Sequence, residues 1–194
     1  MASNLPVSAV VLAAGRSTRM GREKALLEIE GSPLWQRQRD VLANSGAVEI
    51  FLSARPDQRW AHEAKGFAAV VHDAMPGCGP IVGITAALER AAHPLVAVIA
   101  VDLPAMMPVW FQSLIAESTS DRGVVGRRGE FFEPLAAVYP REIIRLFWET
   151  LTRHEYSLQR VIAMAVDRGL LRVREISTEE ERMFANWNEP GKHS

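Results

Sequence analysis

The sequence predicts a single α/β domain, a three-layer sandwich in which helices cover both faces of a mostly parallel sheet. Three observations predict it. Short, nearly continuous apolar runs recur along the chain, as they do in strands buried on both faces. Segments of helical spacing separate those runs, the alternation that builds βαβ units. No repeat, low-complexity tract or Gly/Ser/Pro-rich linker interrupts the 194 residues, a length that suits one domain.

The first strand is read over residues 7–14, an apolar run closed by Gly15. Ser32 followed by Pro33 predicts a helix start, the serine as N-cap and the proline at the first helical position, with Gly46 as the stop. Residues 49–53 and 68–72 predict the second and third strands, and residues 95–101 the fourth and most apolar. Between the last two, Ile81, Ile84 and Leu88 fall at helical spacing behind the breakers Pro76, Gly77, Gly79 and Pro80. Leu114 and Ile115 mark a further helix. Residues 131–139 read as one strand, Ile143, Ile144, Phe147 and Leu151 as a helix, and Leu158, Val161, Ile162 and Ala165 as another. Residues 171–176 alternate like an exposed edge strand.

Composition narrows the function. With 22 Lys+Arg against 23 Asp+Glu the net charge is −1, and the isoelectric point of about 6.5 excludes a protein-wide basic footprint for nucleic acid. Cys78 is the only cysteine, which excludes an internal disulfide framework and a multi-cysteine zinc cage and fits a reducing, cytoplasmic setting. The first residues lack a basic leader, and the apolar run at 7–14 is far short of the ~20 residues that cross a bilayer. No membrane or nucleic-acid partner is expected.

In an open parallel sheet ligands bind at the carboxyl ends of strands. The segment after the first strand, residues 15–24, holds Arg16, Arg19, Arg22 and Lys24 against one anion, Glu23, a local charge of +3. A glycine-started loop brings backbone N–H groups close to an anion, arginine grips phosphate bidentately and lysine acts as a point charge. The pattern is a phosphate cradle, yet Arg22 stands where a Walker loop needs lysine, and Ser17 where a dinucleotide fingerprint needs glycine. An arginine-rich solvated loop is the other reading, since Lys24, Lys65 and Lys192 are the only lysines. Asp102, after the most apolar strand and before Leu103 and Pro104, is the candidate Mg²⁺ ligand, its alternative being a turn-capping aspartate. Asp73 ends the third strand ahead of Gly77, Gly79, Pro80 and Gly83, whose small size lets backbone approach a flat base or sugar, though an ordinary turn is equally compatible.

Other residues point elsewhere. His62, His72, His93, His154 and His193 lack metal-ligand spacing, and Cys78 has no recognisable His and Asn/Asp partners for nucleophilic catalysis. Trp35, Trp110 and Trp148 lie in helical patterns and read as packing. Trp187 sits between Asn186 and Asn188 in a polar segment closed by Pro190, where the asparagines either cap a turn or face a substrate.

Taken in order, residues 12–21 (LAAGRSTRMG) with Lys24, then Gly31-Ser32-Pro33-Leu34, residues 79–84 (GPIVGI), Asp102-Leu103-Pro104, Glu133-Pro134-Leu135 and residues 186–190 (NWNEP) resemble the molybdenum cofactor guanylyltransferase family. This is the MobA-like branch of the nucleotidyltransferases, and the resemblance spans essentially the whole chain. It implies a Rossmann-like, glycosyltransferase-A-like fold, with a nucleotide-binding half at about residues 1–107 and an acceptor-binding half at about 108–194. It implies transfer of GMP from Mg²⁺-GTP to molybdenum-bearing molybdopterin, and transient contact with proteins that mature molybdoenzymes.

The resemblance assigns Leu12, Ala13, Ala14 and Gly15, with Ser53, Gly79, Pro80 and Gly83, to the nucleotide, Arg19 and Lys24 to its phosphates, Asp73 to the nucleoside, and Asp102 to Mg²⁺. Arg19, Lys24 and Asp102 are the implied catalytic residues; Glu133, Pro134, Asn186 and Asn188 are implied on the acceptor side. The chain departs from the family at Ala14, Glu23 and Ser53, where a second glycine, an aspartate and an asparagine are common. Ala14 is shared with the cytidylyltransferase branch, so the base stays open at this stage. Another nucleotidyltransferase, acting on a sugar or corrinoid phosphate, and a non-catalytic nucleotide-binding protein that delivers cofactor are the remaining alternatives.

Overall fold

A computed structural model of the chain describes residues 5–15, 23–72, 75 and 77–185. Ten strands, β1 (Val7–Leu12), β2 (Glu28–Ile29), β3 (Ser32–Pro33), β4 (Ala47–Ala54), β5 (Ala69–His72), β6 (Leu95–Ala100), β7 (Gly123–Arg128), β8 (Phe131–Phe132), β9 (Ala136–Pro140) and β10 (Leu171–Glu175), alternate with five α-helices among those residues. The helices are α1 (Leu34–Asn44), α2 (Pro80–Arg90), α3 (Pro108–Glu117), α4 (Ile144–Thr152) and α5 (Leu158–Asp167).

The main sheet runs β10-β7-β9-β6-β1-β4-β5, with β8 pairing to β7. β5, β4, β1 and β6 are mutually parallel, β9 is antiparallel to both β6 and β7, and β10 is parallel to β7. All strands of the main path except β9 therefore share one direction, and their carboxyl ends meet at one rim.

β1 is central and buried at every position. Alternate side chains leave its two faces: Ala9 and Val11 pack with Leu34 and Leu42 of α1 and with Trp110, Phe111 and Leu114 of α3. Val10 and Leu12 pack with Ile81, Ile84 and Leu88 of α2, Phe147 of α4 and Val161 of α5. Two helices on one face and three on the other complete the three layers. Trp110 is fully buried and donates its indole N–H to the Ala136 carbonyl at 2.9 Å. Its ring meets Phe184 edge-on at 4.9 Å, which pins the chain just before residue 186. Trp148, by contrast, is 43% exposed.

The structure corrects the sequence reading at three places. Ser32 does not cap α1: with Pro33 it forms β3, which pairs with β2 as a small ribbon, and the helix starts at Leu34 with no side-chain cap. Residues 131–139 form two strands, because Pro134 lies between β8 and β9; β8 pairs with β7, while β9 lies between β7 and β6 and pairs with both. β7 itself (GVVGRR) was not read as a strand, since its glycines dilute the β signal. The slot between β9 and β10 selects it.

Candidate active site

The carboxyl ends of β1, β4 and β6 open onto a cleft of about 750 Å³. Leu12 at the end of β1 with Ala14 just beyond it, Ser53 of β4, and Ala100 at the end of β6 with Asp102 just beyond it line the cleft. The rim is fixed by hydrogen bonds that extend the parallel ladder: Ala13 N–H donates to Ser53 O at 2.8 Å and Val101 N–H to Leu12 O at 3.1 Å. The residues just beyond the strands thus inherit the rigidity of the sheet.

The amino end of α2 enters the same cleft, with Gly79, Pro80 and Gly83 on its wall. Gly79 has φ +76° and ψ −170°, a conformation that side chains with a Cβ rarely adopt, and it turns the chain straight into the helix. The partial positive charge of a helix amino terminus therefore faces the cavity. Gly83 allows a close approach: a Cβ there would lie 2.4 Å from the Ser53 hydroxyl oxygen. That hydroxyl is buried and has no hydrogen-bond partner among the described residues.

Lys24 begins a short 3₁₀ turn anchored by the buried Ala25. Its Nζ lies 3.4 Å from Asp102 Oδ2, with the two side chains 25% and 31% exposed. A cation and a carboxylate from opposite sides of the rim thus face one another, both on the cleft wall. The structure brings Leu12, Ala14, Gly15 and Ser53 together with Lys24 and Asp102 at this single cavity. Ala13 is buried behind it, and its carbonyl accepts from Gln58 Nε2 at 3.0 Å.

Of the residues expected on the acceptor side, Glu133 pairs with Arg128 at 2.9 Å, and burial holds its carboxyl above the usual carboxylate range against the pull of that arginine. The Pro134 carbonyl accepts from the Tyr139 hydroxyl at 2.7 Å, leaving their neighbour Leu135 to line the cleft. Arg19, Asp73, Asn186 and Asn188 lie outside the described residues. Cys78 is half-buried, its thiol pushes the pKa of Tyr156 up, and the Tyr156 hydroxyl lies 2.8 Å from His154 Nδ1.

Sequence reading stopped at Ser53 and missed Arg55, Pro56 and Asp57, which line the cleft, and Gln58 behind them. β4 runs one residue further, to Ala54, so Arg55 is the first residue past a strand's carboxyl end. That position was the available signal.

A nucleoside triphosphate suits such a rim: an apolar slot for a base, a helix terminus and lysine for phosphates, and the Asp102 carboxylate for a cation, the other lining carboxylate, Asp57, being paired with Arg55. Residues 9–171 match the MobA-like NTP transferase domain family, and the chain belongs to that family of nucleotidyltransferases. The probable molybdenum cofactor guanylyltransferase of Opitutus terrae is 40% identical over 95% of this chain and 91% of its own. That of Pelotomaculum thermopropionicum is 35% identical over 94% of this chain and 84% of its own. The crystal structure of molybdopterin-guanine dinucleotide biosynthesis protein A from Archaeoglobus fulgidus superposes with a TM-score of 0.73 over 94% of this chain and 93% of that one, at 21% identity, and agrees in fold.

Proposed function

We propose that this chain transfers GMP from Mg²⁺-bound GTP to the terminal phosphate of molybdenum-loaded molybdopterin. An acceptor phosphate oxygen attacks the α-phosphorus, the bond from that phosphorus to the bridging oxygen breaks, and pyrophosphate leaves. The carrying observation is the opposition of Lys24 and Asp102 at 3.4 Å on the wall of a cleft at the strand ends. The names of the relatives supply the donor and acceptor class.

Such a reaction asks the protein for positioning and charge neutralisation more than for covalent chemistry. Leu12 would seat the nucleoside, the N–H groups of Ala14 and Gly15 and the α2 amino end would face its phosphates, and Lys24, joined by Arg19, would neutralise charge growing on the leaving pyrophosphate. Asp102 fits the metal: Mg²⁺ is commonly held by one or two carboxylates plus phosphate oxygens and water, and no group of three metal-binding side chains occurs among the described residues. When bound, the ion neutralises phosphate charge. Glu133, Pro134, Asn186 and Asn188 are proposed on the acceptor side, and a reducing cytoplasm suits the single thiol. No helix among the described residues is long and apolar enough to cross a membrane.

The reading is tested by offering purified protein the four nucleoside triphosphates with Mg²⁺ and molybdenum-loaded molybdopterin. Pyrophosphate and a guanine dinucleotide are expected with GTP; product with CTP alone reassigns the chain to cytidylyl transfer, and nucleotide binding without pyrophosphate release reassigns it to cofactor delivery.

Two variants extend the test. Lys24→Met is expected to lower kcat/KM about a hundredfold or more, the usual effect of removing one electrostatic group from a phosphoryl site. Ser53→Ala removes a buried hydroxyl without a partner, so the ligand-free chain should gain about 1 kcal/mol, or about 2–4 °C in melting temperature. Calorimetry should show GTP binding weakened in the same variant if that hydroxyl meets the nucleotide.

A further inference from the structure

Arg55 on the cleft wall, with Gln58 and Glu23 beside it, forms a closed set of hydrogen bonds around residues 13–15, just past β1. Arg55 Nη1 donates to the carbonyls of Ala14 (2.8 Å) and Gly15 (3.2 Å), and its Nη2 donates to Glu23 Oε1 (2.7 Å). Gln58 Nε2 donates to the carbonyl of Ala13 (3.0 Å) and to Glu23 Oε2 (2.6 Å), while Gln58 Oε1 accepts from Arg55 N–H (2.7 Å). Asp57 takes Arg55 Nε at 3.0 Å, so the guanidinium is engaged on each of its nitrogens. Gln58 is 2% exposed, and the Arg55 side chain 15%. Three successive backbone carbonyls and the residue preceding Lys24 are thereby tied to one point.

The consequence follows from peptide geometry. The structure has no cis peptide among its described residues, and in a trans peptide the carbonyl of one residue points opposite to the N–H of the next. With the carbonyls of Ala13 and Ala14 held against the clasp, the N–H groups of Ala14 and Gly15 are turned the other way, and both residues line the cleft. Free to rotate, the same peptides would present carbonyl oxygens to a polyphosphate and repel it. Glu23 also fixes the chain one residue before Lys24, so a single cluster governs the loop's donors and the cation beside it.

We infer that Arg55 and Gln58 are positioning residues that preorganise the loop at residues 13–15 and Lys24 for an anionic ligand. Arg55 acts on the protein backbone, not on the ligand. The inference rests on the nucleotide-binding reading of the cleft, but its mechanical part does not.

Gln58→Met is the discriminating variant, because Gln58 is buried behind the loop and is not on the cleft wall; Arg55→Lys keeps charge but cannot bridge two carbonyls and a carboxylate. Calorimetry with Mg²⁺-GTP on each full-length variant should give a Kd about tenfold weaker than wild type for both, with the double variant no weaker than the worse single one. NMR order parameters of the ligand-free chain should show the Ala14 and Gly15 backbone more mobile. If Gln58→Met binds as wild type while Arg55→Met is weakened and Arg55→Lys is restored, Arg55 contacts phosphate directly and the inference is overturned. Loss of melting temperature with unchanged Kd and unchanged order at Ala14 and Gly15 overturns it as well. Should wild type bind no nucleotide, the proposed function fails, and backbone order alone decides the clasp: lower order at Ala14 and Gly15 in Gln58→Met sustains it and unchanged order overturns it.

Discussion

Asp102→Asn is expected to lower turnover by about two to three orders of magnitude, some 2.7–4 kcal/mol on the barrier. The asparagine keeps size and shape but loses the charge that would face a divalent cation. Stability should barely change, because the pair with Lys24 is long at 3.4 Å and about 25–31% exposed, and ion pairs so placed contribute about 1 kcal/mol or less. Melting temperature should therefore fall by no more than about 4 °C. Pyrophosphate release and thermal melting, measured on the same preparation, check the split. A variant that loses activity only in proportion to its folded fraction would make Asp102 a structural aspartate.

The largest effect on stability is expected at Gly123→Ala. A Cβ at Gly123 would lie 2.1 Å from the Val138 carbonyl oxygen and 2.9 Å from Tyr139 Cα, both backbone atoms of β9. No rotamer change relieves that contact; β7 and β9 must separate, at the seam where β9 runs against its neighbours. A loss of about 3 kcal/mol or more is expected, a fall of about 6–12 °C in melting temperature. Gly126→Ala is the comparison. Its Cβ would meet the Trp110 ring at 2.8 Å and Ile176 Cδ1 at 3.0 Å, side chains that can shift, so its cost should be smaller. Equal losses at the two sites would show that the β7–β9 seam yields as readily as a side-chain contact.

Much of the amino-terminal half of the fold is legible in the sequence because β1 and β6 are buried on both faces. β1 and β6 announce themselves as unbroken apolar runs, and burial at all six positions of each explains why. β7 and the split between β8 and β9 were not legible: their strand character depends on which neighbours they meet, and two of the six residues of β7 are glycine. Ser32 misled for a related reason. A serine before a proline is a good local helix start, but pairing of β2 with β3 claims both residues first.

The site divides along the same line. Strand-end position and residue chemistry single out Lys24 and Asp102 in the sequence, although 78 positions separate them. That they come within 3.4 Å needs two tertiary features: the parallel pairing of β1 and β6, which brings their carboxyl ends to one rim, and the hydrogen bonds of Arg55 and Gln58 to Glu23, which hold the chain beside Lys24. The apolar pattern of the chain determined the α/β class, the chemistry available at each strand end and the family resemblance, because period and residue type are local properties. Only the tertiary structure decided that Arg55 and Gln58 clasp the chain just past β1, that Ser53 presents a buried hydroxyl without a partner among the described residues, and that β9 runs against its neighbours. Each of these depends on which distant segments meet, and a hydrogen bond between residues some 40 positions apart leaves no periodicity in the sequence.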